Sequence, residues 1–193
     1  NDSDRALGMQ AGSTHRYSIH SADVDQVFGA IAVAFTNNTG SLIEGFSFDY
    51  TGEQWHVSSN ANVAHSLTVQ YAIGAAGAAF NSLSWSGFQP TEINASGVNF
   101  WTPTISGGTT GNGNLAANQV TMLGAQVSGL NWQEGQQLWL RWIDFNDPAS
   151  DHGLAIDNFR FNAVLTPVPE ASTYALVLAG LGVVAATNRR RRR

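Results

Sequence analysis

Apolar and polar positions alternate over short distances through most of the chain, the period of strands whose two faces meet different surroundings. Ile31, Val33 and Phe35 share one face of a first such segment. Thr36-Asn37-Asn38-Thr39-Gly40 then supplies turn chemistry, after which Leu42, Phe46, Phe48 and Tyr50 resume the alternation. Two alternating runs around such a turn predict a β-hairpin. Leu67, Val69, Tyr71 and Ile73 mark another strand, followed by a small-residue loop from Gly74 to Ala79. Residues 83–88 and 98–104 are shorter strand segments, and 119–128 is a further one. Residues 106–114, rich in Gly, Thr and Asn, predict an exposed loop. From Gln136 to Asp144, Leu138, Leu140 and Trp142 alternate with Trp139, Arg141 and Ile143. Both faces are largely apolar there, as in a central strand. Leu154 to Val164 closes the series. About eight or more short strands without a long helix predict an all-β fold, an antiparallel two-sheet sandwich of jelly-roll type. It is expected to span residues 1–164.

The pattern changes after that point. Residues 165–173 form a spacer held extended by Pro167 and Pro169. Residues 174–188 predict a short apolar helix, with an unbroken apolar core from Tyr174 to Ala186. As a helix that core is about 20 Å long, short of the ~30 Å hydrocarbon layer. Ser172, Thr173, Thr187 and Asn188 extend it to a marginal span. It has no polar face, which distinguishes it from an ordinary amphipathic helix. Arg189, Arg190, Arg191, Arg192 and Arg193 form a basic stop. By the positive-inside rule they stay cytoplasmic and leave the preceding domain outside.

This order of Val168-Pro169-Glu170-Ala171, apolar run and basic block resembles the PEP-CTERM signal of Gram-negative bacteria. Ala171 stands where the signal usually has a second proline. The resemblance implies processing by exosortase and transient anchoring in the inner membrane. It also implies a final place at the cell surface or outside the cell, and a link to exopolysaccharide and biofilm formation. Cleavage is expected near Pro169 or Glu170.

Composition adds a second asymmetry. Lysine is absent, and five of the nine arginines lie in the last five residues. Up to Glu170, Arg5, Arg16, Arg141 and Arg160 face fourteen acids, a net charge of −10. Such a body repels phosphate backbones, so nucleic acid is not an expected partner. The chain has no cysteine, which excludes a disulfide scaffold and a thiolate metal site. It opens at Asn1 with neither a basic nor an apolar leader segment. An export address at one end implies an export signal at the other, so a truncated N-terminus is expected.

Three further segments, Ser3 to Gly8, Tyr50 to Trp55 and Leu138 to Phe159, resemble a bacterial extracellular β-sandwich module. The Phe35 to Gly40 turn shares that likeness. Such modules occur before PEP-CTERM tails and beside lamin-tail and phosphatase-type domains. The resemblance implies no enzymatic activity.

Candidate chemistry is sparse. Asp144, Asn146, Asp147 and Asp151 have the spacing of oxygen ligands, with Asp157 on the following strand, and could hold Ca²⁺. The competing reading is a solvated turn. Asp151-His152 and Glu53 with His56 are the pairs that could act as a general base, without an identifiable nucleophile. His15, His20, His56, His65 and His152 are scattered, which disfavours zinc. Trp85 and Trp101 flank loops and could stack on sugar rings, whereas strand alternation puts Trp139 and Trp142 on opposite faces. Arg141, within an apolar strand, calls for a partner such as Glu53 or Asp157. The leading expectation is a non-catalytic structural or adhesive module of the cell surface or extracellular matrix. A Ca²⁺-dependent carbohydrate-binding module and a secreted hydrolase are the alternatives.

Overall fold

The computed structural model describes residues 5–10, 27–59, 62–87, 97–108, 111–145, 150–165 and 181. Among them the strands are β1 (Leu7–Gln10), β2 (Val27–Thr36), β3 (Ile43–His56), β4 (Ser66–Gly74), β5 (Ser86–Gly87), β6 (Phe100–Trp101), β7 (Gln119–Trp132), β8 (Gln137–Phe145) and β9 (Gly153–Leu165). Two single turns of 3₁₀ helix, Phe80–Ser82 and Ala116–Asn118, complete the regular structure there. One sheet has the order β1-β9-β3-β7; the other has β2-β8-β4-β5, with β6 also pairing β4. Every pairing is antiparallel. The all-β, two-sheet expectation holds. The apolar tail helix lies outside the described residues apart from Leu181. Among the described residues no helix is long and apolar enough to cross a membrane.

The core is aromatic and lies between the sheets. Phe46, Phe48 and Tyr50 project from β3 toward Trp142 of β8, whose ring meets Tyr50 edge-on at 5.4 Å and Phe48 at 6.5 Å. Phe35 of β2 stacks on Phe161 of β9 at 4.1 Å. Burial of such rings is the main stabilising term, each removing on the order of 150–250 Å² from water. Trp142 is core, as one of the Trp139/Trp142 pair had to be. The Tyr50 hydroxyl donates to Val98 O at 2.6 Å, and burial pushes its ionisation far above the usual phenol range.

The expected hairpin between residues 31 and 50 does not form. β2 pairs with β8 and β3 pairs with β7 and β9, so the intervening corner crosses from one sheet to the other. Alternation shows that each strand has one buried face; it does not show which strand lies alongside. The corner is built on buried Asn37. Its Nδ2 donates to Ser41 O and Trp132 O, both at 2.9 Å, and its Oδ1 accepts from Thr39 N–H at 3.1 Å and Thr39 Oγ1 at 2.7 Å. The Asn37 backbone is tied to the β7–β8 turn, donating to Gln136 O and accepting from Gly135 N–H. The register of β3 also shifts between Ile43 and Gly45, so Ile43, not Leu42, joins the core.

The 106–114 loop is only partly exposed. Gly111 N–H donates to Trp55 O at 2.9 Å, and Gly113 is buried with no room for a Cβ against the Trp55 indole. Its glycines serve close approach as much as turning.

Candidate functional site

β3 and β8 finish, and β4 and β9 begin, at the end of the sandwich opposite the one where β9 runs out. The connections there bring His65, Asp151 and His152 together, all buried. His152 Nδ1 accepts the Ser58 N–H at 2.9 Å, and its Nε2 lies 3.2 Å from Val63 O. An accepting Nδ1 leaves the proton on Nε2, so His152 is neutral and donates to Val63. The His152 backbone N–H donates to His65 Nδ1 at 3.2 Å, and the two rings lie 4.3 Å apart. Thr102 holds the His65 backbone on both sides, accepting from its N–H at Oγ1 and donating to its carbonyl. Asp151 Oδ1 stands 3.8 Å from His65 Nδ1. Gln10 of β1 donates to Asp151 O at 3.3 Å and meets His56 Nδ1 at 3.1 Å.

Burial holds His65 below the ordinary histidine range; His152 pushes the same way and Asp151 opposes both. The geometry agrees, because only a neutral ring can accept at Nδ1. The expected Asp151-His152 pair is therefore a different arrangement: the carboxylate faces His65, and the lone pair of His152 is occupied by a backbone amide. Glu53 and His56 do not pair with each other in the described contacts. Glu53 is buried and its Oε2 accepts from Trp55 Nε1 at 2.8 Å, while His56 turns to Gln10.

The oxygen ligands considered for Ca²⁺ divide. Asp144 and Asp151 are buried at this end, and Asn146 and Asp147 lie outside the described residues. Asp157 sits further along β9, opposite Thr51, roughly 13 Å beyond Gly153 at the rise of a strand. Among the described residues no group of three or more His, Asp or Glu is placed to hold a metal ion.

The aromatics divide as well. Arg141 points out of the second sheet, is itself buried, and lies 3.9 Å beneath the centre of the Trp85 ring. Gln70 of β4 accepts from its Nε at 2.8 Å and from its Nη2. Phe80 meets Trp85 at 5.0 Å and Trp139 at 5.5 Å, edge-on in both cases. Arg141 is thus met by a neutral amide and an indole. Trp85 is half-buried, with one face spent on Arg141; Trp101 is half-buried too, and its Nε1 is shielded from solvent.

Sequence reasoning missed the role of His65 and of the glutamines. The signal for His65 was available: it continues the inward series Leu67, Val69 by one strand period. Nothing in the sequence marks Gln10 or Gln70, whose partners lie far from them along the chain.

At the other end, β9 pairs with β3 up to Leu165, opposite Ile43. Val168, Pro169, Glu170, Ala171 and Arg189 to Arg193 follow, outside the described residues. Residues 167–193 match the PEP-CTERM protein-sorting motif. The PEP-CTERM motif marks an exported protein sorted by exosortase, a membrane enzyme, and anchored transiently in the membrane before release. It begins two residues after the last paired residue of β9. No curated protein and no solved structure matches the chain.

Proposed function

We propose that the sandwich is the lasting product of this sorting route, a non-catalytic structural or adhesive module of the cell surface or extracellular matrix. The PEP-CTERM motif at 167–193, directly after β9, carries the proposal. The occupied lone pair of His152 and the separate engagement of Glu53 and His56 support a structural use of these groups. The strand orders β1-β9-β3-β7 and β2-β8-β4-β5 support a jelly roll: outside the run β4–β6, each successive strand changes sheet. Residues 1–164 would be the module, 165–173 its spacer, 174–188 the membrane segment and 189–193 the stop. Intact-mass analysis of the surface-released protein tests delivery. A C-terminus near Pro169 or Glu170 is expected; a full-length released mass would exclude it.

A second reading, contact with extracellular polysaccharide, is favoured by the half-exposed Trp85 stacked on Arg141. Indoles bind sugar faces when one side is open. Glycan-array binding by wild type and Trp85→Ala, each with and without a chelator, tests it. Signal that is lost in the variant supports the reading, and sensitivity to chelator would add Ca²⁺. Equal signals from both proteins would discard it.

A further inference from the structure

The tail-side end of the sandwich carries fewer ionisable side chains than the opposite end; at the start of β3 it holds exposed Glu44. The corner 37–41, the loop 75–79 and the turn 133–136 together carry one ionisable side chain, Glu134. Its Oε2 accepts from Gly40 N–H at 2.8 Å. The opposite end holds Glu53, His56, His65, Asp144, Asp151 and His152. Beside these loops, Val164 and Leu165 are 42% and 49% exposed. Small uncharged residues with exposed aliphatic groups suit close contact with an apolar protein surface, since little polar surface must lose its water.

The reach of the chain sets how close that contact is. Leu165 is fixed against Ile43, and the motif begins at 167. Thr166 to Glu170 span at most ~18 Å in any conformation. β3, with 14 residues, makes the sandwich about 45 Å long. A membrane enzyme cutting near Glu170 thus works on a leash much shorter than the body attached to it. We propose that the tail-side end, formed by the 37–41 corner, the 133–136 turn and the exposed end of β9, is the surface that docks on the membrane enzyme that processes the motif. This inference rests on the sorting motif and is independent of what the released module does.

The test uses the full chain in producing cells that contain the enzyme. One variant carries a compact folded domain inserted after Glu134; a second carries the same insertion after Ser59, at the opposite end. A third joins the Glu134 insertion to a Gly/Ser spacer of 15 residues or so between Leu165 and Thr166, adding ~20 Å of reach. The fraction of protein that has lost its basic tail is read by intact mass. The tail-side insertion is expected to lower that fraction severalfold, the Ser59 insertion to leave it unchanged, and the spacer to restore it. Normal processing of the tail-side insertion overturns the proposal, as does equal loss in both insertions or a loss that the spacer does not relieve. Should the Glu134 insertion not fold, Asn38→Cys, the sole thiol in the chain, is coupled to a polyethylene glycol in isolated membranes. It must slow tail removal, and Ser59→Cys must not. Binding of the tail-free sandwich to enzyme-free lipid vesicles through this end would assign the surface to lipid and overturn the enzyme as its partner.

Discussion

Where β9 runs out toward the motif, the sandwich is closed by an amide: Asn37 gives two hydrogen bonds to carbonyls and accepts two from Thr39. Where β9 begins, it is closed by imidazoles: His152 links Ser58 to Val63, and His65 takes the His152 amide. The two solutions satisfy backbone groups equally well at neutral pH. They differ in what happens to the acceptor. An amide keeps its donors and acceptors at every physiological pH, whereas an imidazole loses its acceptor nitrogen on protonation. The buried side chain that closes the end next to the processing site does not titrate, whereas those that close the other end do.

Replacing Asn37 should have the largest effect. Asn37→Ala removes four hydrogen bonds and leaves buried Trp132 O without that donor, for a loss of about 3 kcal/mol in urea unfolding. The loss should be the same at pH 5 and pH 7.5. A marked pH dependence would break the contrast between the ends. His152→Ala should cost somewhat less, about 2 kcal/mol, because two ring bonds and a small packing defect are involved. Its signature is local: the Ser58 amide should exchange with solvent faster while the Thr39 amide is unchanged. Faster exchange at both sites would mean that the ends are not independent.

Acidification should give a smaller, graded change. The folded state holds His65 below its ordinary value, so between that value and the folded one the unfolded chain binds more protons. Stability attributable to His65 is complete above the ordinary histidine range. It is lost as pH falls below that range, with a slope of at most ~1.4 kcal/mol per pH unit. Asp151 acts against this loss, since a protonated Nδ1 would face its carboxylate. His65→Gln should flatten the profile between about pH 7 and 5, where unperturbed carboxylates scarcely titrate. An unchanged slope in that variant would take His65 out of the account.

How much of this could be read in advance differs between the two ends. The tail was legible because composition alone separates it: an apolar run closed by arginines in a chain without lysine. The strands were legible from alternation, most clearly in β4 and in β8, which is indeed internal to its sheet. Pairing was not. The Asn37 segment has the residues of a hairpin turn, yet its side chain bonds Trp132, which lies 95 positions away. The His65–His152 contact spans 87 positions and depends on a sheet order that alternation does not encode. Arg141 shows the same limit. Its burial in an apolar strand announced a partner, but nothing in the sequence pointed to Gln70 or to the face of Trp85 as partners.

The smallest expected effect is the most exposed one. Glu134 is an ionisable group of the tail-side turn, and its carboxylate accepts the Gly40 N–H from across the corner. If that end is held by neutral bonds, the charge itself should matter little. Glu134→Gln keeps an oxygen acceptor and removes the charge, so it should change stability by less than ~0.5 kcal/mol. Glu134→Ala, which removes the acceptor as well, should cost slightly more. Urea midpoints at low and high salt separate the two contributions, because screening weakens an exposed charge and leaves a neutral hydrogen bond nearly untouched. A large loss in Glu134→Gln that disappears in high salt would show that charge closes this end after all. The two ends would then differ only in which ionisable groups they use.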